Sequence, residues 1–385
     1  MQYNRIGDVD VSEIAFDTDV ARDLTTLQLR RLVETAFESG IDFFYSLQPA
    51  ETSALGECLA ALGARKKAVV TAGIPRLFAA YASHHLPAAE FLEHELSDRA
   101  DRLGGGPIDC FVLDLGEGRS LDLDSVMKED IAGADDSPVA SSSYEGGIFL
   151  HETLAECLEV LARFKKDGRI RLAAVSGENI SAVSRVLVKH EGIDVAFAPY
   201  NYGFRAAANE LISVAAEVKT AFIATRPLWW GIREIPVTVL AESPYPAQAS
   251  VDIDPAELTS VACAWPLADR SVKGILAELN TAELVARAAS ASHDHHWTRD
   301  DEDALRPVAS VAAAQKGLFL ILSAMNSPDP SVRAHGWAAC MRRGLPDFNF
   351  DPVAPADVRL RSLRQIADTV VQAPPVDHDD LDELL

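Results

Sequence analysis

From residue 12 onward the chain alternates two patterns. Short apolar runs are followed by longer stretches in which apolar residues recur every three or four positions, so strands and amphipathic helices are expected in turn. Residues 24–40 predict the first helix, with polar Thr25 near its start and Gly40 placed to end it in a left-handed conformation. Residues 41–45 then predict a strand, followed by a helix through Leu55 and Leu59. The pattern continues with strand 68–72, helix 88–103, strand 108–113, helix 152–166, strand 170–175, helix 180–189 and strand 195–198. Helix 206–218, strand 221–225, helix 255–263, a short strand near 274–276 and helix 282–291 complete the series. Such strand–helix pairs in sequence predict an α/β fold, a closed (β/α)8 TIM barrel.

Two insertions interrupt the period. Residues 116–147 are rich in Gly, Ser and Asp and follow the fourth barrel strand, which places them over the barrel mouth as an expected lid. Residues 229–254 follow the seventh strand on the same face. The expected organisation is a barrel over residues 1–295 carrying both insertions, then a C-terminal helical extension over 296–350. That extension opens with the capping pattern Thr298-Arg-Asp-Asp301, and the segment 351–385 ends in an acidic tail.

Composition narrows the partners. Asp and Glu outnumber Lys and Arg by 58 to 35, a net charge of −23, which argues against nucleic acid or an anionic membrane because phosphate binding needs clustered cations. No apolar stretch reaches a membrane span, and the N-terminus lacks a basic-then-apolar signal peptide. Cys58, Cys110, Cys157, Cys263 and Cys340 are scattered and odd in number, which reads as buried thiols of a cytoplasmic protein. The run Ser292-His-Asp-His-His-Trp297 has imidazoles and a carboxylate but no distant partner at ligand spacing, so no metal site is expected.

Several blocks then point to a family. The opening residues 1–18 look like an N-terminal hairpin and first strand. Gly40-Ile-Asp-Phe-Phe44, Ile108-Asp-Cys-Phe-Val-Leu113, Lys166-Asp-Gly-Arg-Ile-Arg171, Val175-Ser176 and Ala198-Pro-Tyr-Asn201 follow in order. Together they resemble the aldo/keto reductases, which implies a barrel of that type and NADPH-dependent carbonyl reduction by an Asp, a Tyr, a Lys and a His. At the corresponding positions stand Tyr45 for the Asp, Ala50 for the Tyr, Gly73 for the Lys and Asp114 for the His. The segment after Tyr45 also counts as shortened. A phenol acts as a proton donor near pH 7 when a cation acidifies it, and Tyr45 would have Asp114 instead. On the cofactor side Ser176 stays where the family grips the carboxamide, but Gly177, Phe197 and Thr225 replace an Asn, a Gln and a stacking aromatic. Glu278 stands where a basic residue would meet the adenosine 2′-phosphate, and Glu283 could still reach the adenine. No cofactor is therefore expected, with NADP(H) or NAD(H) entering only if a residual pocket is retained on Ser176 and Glu283.

Taken on their own chemistry, the groups expected at the mouth are Tyr45, Ser46, Gln48, Arg76, Asp114, Glu117, Glu178, Asn201, Arg226 and Trp229. Tyr45, Asp114 and Arg226 come from the ends of three strands and could share one pocket, as catalytic groups or as a polar-ligand site. The plainer alternative is an Asp114–Arg226 ion pair filling space. Trp229-Trp230 could be a binding platform or a pair packed beneath its insertion, and Tyr200-Asn-Tyr202 with Arg205 should continue the strand-six turn. The function expected is a divergent family member, a pseudoenzyme, binding a small polar ligand or a protein partner at the mouth. The alternative is an NAD(P)-dependent oxidoreductase or a non-redox acid–base enzyme with a rebuilt site.

Overall fold

A computed structural model describes residues 1–19, 24–84, 86–116, 138–230, 235–236, 255–292 and 297–301, together with residues 303, 305, 325, 333–334, 337, 350–355, 358–359 and 361–363. The chain opens with a hairpin of β1 (Tyr3–Ile6) and β2 (Val9–Ser12), turned at Gly7 with φ of 58°. Ile6, Val9 and Val11 of this hairpin are buried with the inward residues of the barrel strands, and a Cβ on Gly7 would sit 3.2 Å from Leu172 Cδ2. The hairpin therefore plugs the end of the barrel at which the strands begin.

Eight strands form the barrel: β3 (Ile14–Asp17), β4 (Phe43–Ser46), β5 (Val69–Ile74), β6 (Ile108–Asp114), β7 (Ile170–Ser176), β8 (Val195–Pro199), β9 (Ala221–Thr225) and β12 (Val272–Ala277). They close in the order β12-β3-β4-β5-β6-β7-β8-β9 with parallel pairing throughout. The expected (β/α)8 architecture is what the chain adopts. Alternate residues of each strand point inward, and Phe43, Val69, Cys110, Val112, Leu172, Ala174, Val195, Phe197, Ile223 and Leu276 fill the interior. Burying each large side chain contributes about 1.5–3 kcal/mol, so the barrel axis is packed core rather than channel. β10 (Trp229–Trp230) and β11 (Ile235–Pro236) are two short strands outside the barrel.

The helices between the strands are α1 (Thr26–Glu38), α2 (Pro49–Ala61), α3 (Leu77–His84), α4 (Ala88–Arg102), α5 (Pro138–Lys166), α6 (Ile180–Lys189), α7 (Ala206–Glu210), α8 (Ile212–Glu217), α9 (Pro255–Leu267) and α10 (Ala282–Ala291). In α1, Thr25 and Gln28 make a reciprocal capping box, Leu29, Leu32, Val33 and Ala36 form the buried stripe, and Gly40 (φ 84°) ends the turn as expected. Three differences from the sequence pattern stand out. α3 was not anticipated, the helix expected over 206–218 breaks at Leu211, and α5 begins at Pro138, so the Ser-rich end of the first insertion is helical. Proline suits that first helical position because its missing N–H has no partner to lose there.

The chain divides into two compact units, Met1–Arg233 with Thr259–Trp297, and Glu234–Leu258 with Thr298–Leu385. In the second unit Thr298 and Asp301 cap each other, Thr298 Oγ1 donating to Asp301 Oδ2 at 2.6 Å, and Trp337 packs on Phe350. Residues 117–137, the His run at 293–296, the tail from 364 and Cys340 lie outside the described residues, as do the side chains of Trp229 and Trp230. Among the described residues no helix is long and apolar enough to cross a membrane.

Candidate functional site at the barrel mouth

Parallel strands bring all eight C-terminal ends to one rim, so the last inward residue of each strand faces the mouth. On β4 the alternation that turns Phe43 inward also turns Tyr45 inward and Ser46 outward. Ser46 Oγ lies 3.1 Å from Thr52 Oγ1 of α2. Ser46, expected at the mouth, is therefore a strand-to-helix contact. Only Leu47 and Gln48 join β4 to α2, and their amides donate to the Asp19 carboxylate at 3.1 and 3.3 Å. Ala50 is already exposed in the first turn of that helix.

On β5 the inward position holds Gly73, and the neighbouring strand occupies the space a side chain would need. A Cβ there would stand 2.1 Å from Val112 O and under 3 Å from Val112 C and N. Buried Arg99 of α4 donates from Nε to Gly73 O at 3.1 Å, fixing the same peptide from outside. With no side chain at Gly73, the phenol of Tyr45 can extend across that lane of the barrel. Its ring packs 5.1 Å from that of Phe197 on β8, and its phenol comes near enough to Ser176, at the end of β7, to feel that hydroxyl.

Ser176 Oγ in turn donates to Asp114 Oδ1 at 2.8 Å, and Asp114 also accepts from Gly116 N at 3.2 Å and Arg76 N at 3.0 Å. Tyr45, Ser176 and Asp114 therefore form one polar group across β4, β7 and β6, with Ser176 hydrogen-bonded to Asp114. Burial, and next the Asp114 carboxylate, hold the Tyr45 phenol well above the ordinary range, with the Ser176 hydroxyl pulling the other way. Tyr45 is thus a neutral phenol at pH 7.

A second group forms on the opposite side of the rim. Arg226 follows β9 with φ of 61° and donates from Nη1 to Glu278 Oε1 at 2.8 Å and from Nη2 to Glu178 Oε1 at 3.1 Å. Fully buried Asn201 holds its peptide, Nδ2 donating to Arg226 O at 3.0 Å. Asp17, at the end of β3, accepts from Asp19 N at 2.9 Å. Burial raises its pKa well above the carboxylate range, with Asp19 and Glu278 adding to the rise and Arg226 opposing it.

The expected residues thus separate into two clusters. Tyr45 and Asp114 come together through Ser176. Arg226 does not pair with Asp114, because the loops after β7 and β12 present carboxylates closer to it. Glu283 is exposed in the first turn of α10 behind the Thr281 cap. Arg205 lies over the rings of Tyr202 and Trp265, and Tyr200 packs on Trp265, so that segment is a local aromatic stack. Asp17 and Asp19 were not picked out from sequence, although a polar Asp-Thr-Asp directly after Ile14-Ala-Phe16 marks a strand end. The described cysteines are buried and free, and burial pushes Cys58 up to about 11 and Cys157 and Cys263 to about 12, far from reactive thiolates. No cluster of three His, Cys, Asp or Glu among the described residues could hold a metal ion.

A family model described as "Aldo/keto reductase family" matches residues 19–235, more than half of the chain. The chain belongs to the aldo/keto reductase family. Its structure is similar to aldo-keto reductase AKR11C1 from Bacillus halodurans in the holo form, with a TM-score of 0.56 and 19% identity over 80% of this chain and 96% of that one. The apo form of the same protein gives a TM-score of 0.52 and 17% identity over the same shares. No curated protein matches the chain. Within this aldo/keto reductase the residues at the mouth do not fit the nicotinamide grip that the resemblance implies. The Ser176 hydroxyl is donated to Asp114, Phe197 is fully buried against Tyr45, and Arg226 is tied to Glu178 and Glu278.

Proposed function

We propose that this aldo/keto reductase has given up NADPH-dependent carbonyl reduction and serves as a binding subunit whose barrel mouth takes a small polar ligand or a protein partner. The observation that carries this reading is Gly73. The position at which the family's lysine is expected cannot accept even a Cβ without parting β5 from β6, and without a cation beside it no phenol in this mouth is acidified. Tyr45 meets Ser176 and the Asp114 carboxylate instead, an environment that keeps its proton on. The described mouth carries Asp17, Asp19, Asp114, Glu178 and Glu278 against Arg76 and Arg226, a balance that opposes the phosphates of a dinucleotide. Buried free thiols suit a cytoplasmic setting.

The test is an assay of the purified full-length protein with NADPH and several reactive aldehydes, paired with fluorescence titration of NADPH and NADH. The expected result is no turnover above background and no saturable nucleotide binding. Turnover near the ~1–10³ s⁻¹ common for enzymes would overturn the reading. One observation favours a second reading, an acid–base enzyme. Beside the Tyr45 phenol, Ser176 Oγ donates to an Asp114 carboxylate oriented by two backbone amides. That reading expects a bell-shaped or single-step pH dependence of some turnover which Asp114→Asn abolishes.

A further inference from the structure

Arg226 is held with unusual firmness for a residue at a rim. It sits in the left-handed region, which side chains with a Cβ rarely adopt, and buried Asn201 grips its carbonyl at 3.0 Å. Such conformations persist where the surroundings over-determine them, and they concentrate at ligand sites. Its side chain is only 16% exposed. Even so, the two terminal nitrogens go to different carboxylates through one oxygen each, Nη1 to Glu278 and Nη2 to Glu178. A guanidinium edge matches both oxygens of a single carboxylate far better, giving two parallel bonds. The guanidinium's paired donors are thus divided between two stand-ins.

We infer that Arg226 is the anchor for a ligand carboxylate at the barrel mouth, and that Glu178 and Glu278 occupy this anchor until the ligand displaces them. The inference rests on the reading of the mouth as a ligand site and names the ligand class. Asp17, Asp19 and Asp114 around the same rim repel a multiply charged anion more than a single carboxylate, which selects against pyrophosphate and for a monocarboxylate. Half-buried Asp17, beside Arg226 and Glu278, keeps a carboxyl oxygen that accepts in either protonation state. The other end of the ligand must therefore donate, as a hydroxyl or an ammonium group does. The occupant is a small hydroxy- or aminocarboxylate. The two glutamates set its threshold, because the competent anchor is free only for the fraction of time that they release it.

Calorimetric titration of the full-length protein with glycolate, glycine and acetate tests this. Glycolate and glycine distinguish the hydroxyl from the ammonium source, and acetate supplies the carboxylate alone. The double variant E178Q/E278Q should bind glycolate or glycine at least tenfold more tightly than the native protein, and both more tightly than acetate. Adding R226Q or R226K should remove that gain, the lysine because it keeps the charge but loses the paired donors. No gain for either probe, or a gain that survives R226Q, overturns the inference. Should the double variant lose its native circular dichroism, E178Q and E278Q singly leave one partner in place, and each should give a gain of at least threefold. NADPH turnover would sink the underlying functional reading, whereas an absent glutamine gain with no NADPH turnover sinks only the carboxylate anchor.

Discussion

Replacing Gly73 by alanine adds one methyl group at the most crowded point of the barrel. That Cβ would lie 2.1 Å from Val112 O, 2.8 Å from Val112 C and 2.9 Å from Val112 N. All three are backbone atoms of a strand that is itself paired on both sides, β5 on one and β7 on the other. Relief requires β5 and β6 to separate by about 1 Å to reach van der Waals distance. That would stretch the Gly73–Val112 region of the ladder and the bond from Arg99 to Gly73 O. Overpacking a tight core costs about 1–3 kcal/mol, and here no flexible side chain can yield, so a loss of about 3 kcal/mol or more is expected. Gly177 is the control. A Cβ there meets Val183 Cγ2 at 3.1 Å and Leu115 Cβ at 3.4 Å, both side-chain atoms, and Gly177→Ala should cost less than about 1 kcal/mol. Urea unfolding of both variants, compared at the midpoint with the slope checked for constancy, measures the difference. A G73A protein within about 0.5 kcal/mol of native would show that the strands part easily. The exclusion of a lysine from this position would then fail, and with it the main support for lost reductase chemistry.

Three further outcomes follow from other parts of the structure. Thr25→Ala removes the side-chain half of the α1 capping box and should lower unfolding stability by about 1 kcal/mol, read from the urea midpoint. Ser176→Ala deletes the hydroxyl that donates to Asp114 beside Tyr45, and the loss of that part-buried, charge-assisted hydrogen bond should cost about 1–3 kcal/mol in the same experiment. Asp17→Asn should stabilise the protein at pH 7, because ionising that carboxylate is opposed by burial, Asp19 and Glu278. A carboxyl whose folded pKa is raised makes the folded state lose stability as pH rises from the unfolded value, about 3.9, through the folded one. The advantage of D17N should therefore be full above the folded pKa and fade toward pH 4, and a variant less stable than native at pH 7 contradicts the electrostatic account.

The barrel was legible because its information is local and periodic. The stripe of Leu29, Leu32, Val33 and Ala36 states one buried face of α1, and Thr25 and Gly40 state its ends, all within seventeen consecutive residues. The misses share a physical cause. Ser141-Ser-Ser143 has weak helix propensity, so the start of α5 at Pro138 carries no apolar stripe to announce it. α3 packs without a marked amphipathic pattern, and its apolar Leu77-Phe-Ala-Ala80 has the composition of a loop anchor as much as of a helix.

The mouth divides along the same line. Which residues reach it followed from strand period and chain direction, and Tyr45, Asp114, Ser176 and Arg226 all arrive there. Which of them bond to each other did not follow, because charge alone offered Arg226 several carboxylates of equal sign. The ones it takes, Glu178 and Glu278, lie 48 and 52 residues away in sequence on opposite sides of it. They are selected by barrel order, since β9 has β8 and β12 as neighbours while β6 lies three strands off. With Asp114 out of reach, Asp114 was left to orient Ser176 and Arg226 to bridge two loops. The mouth therefore became two separate clusters instead of one catalytic ion pair. A group poised for chemistry needs a partner it can exchange a proton with, and a group poised for binding needs donors that a ligand can take over. The Tyr45 group ends in a carboxylate already satisfied by two backbone amides, whereas Arg226 holds its donors in a split that a single carboxylate would improve. On that comparison the binding role has the stronger geometric case, and it places Arg226 ahead of Tyr45 as the residue on which the function of this barrel turns.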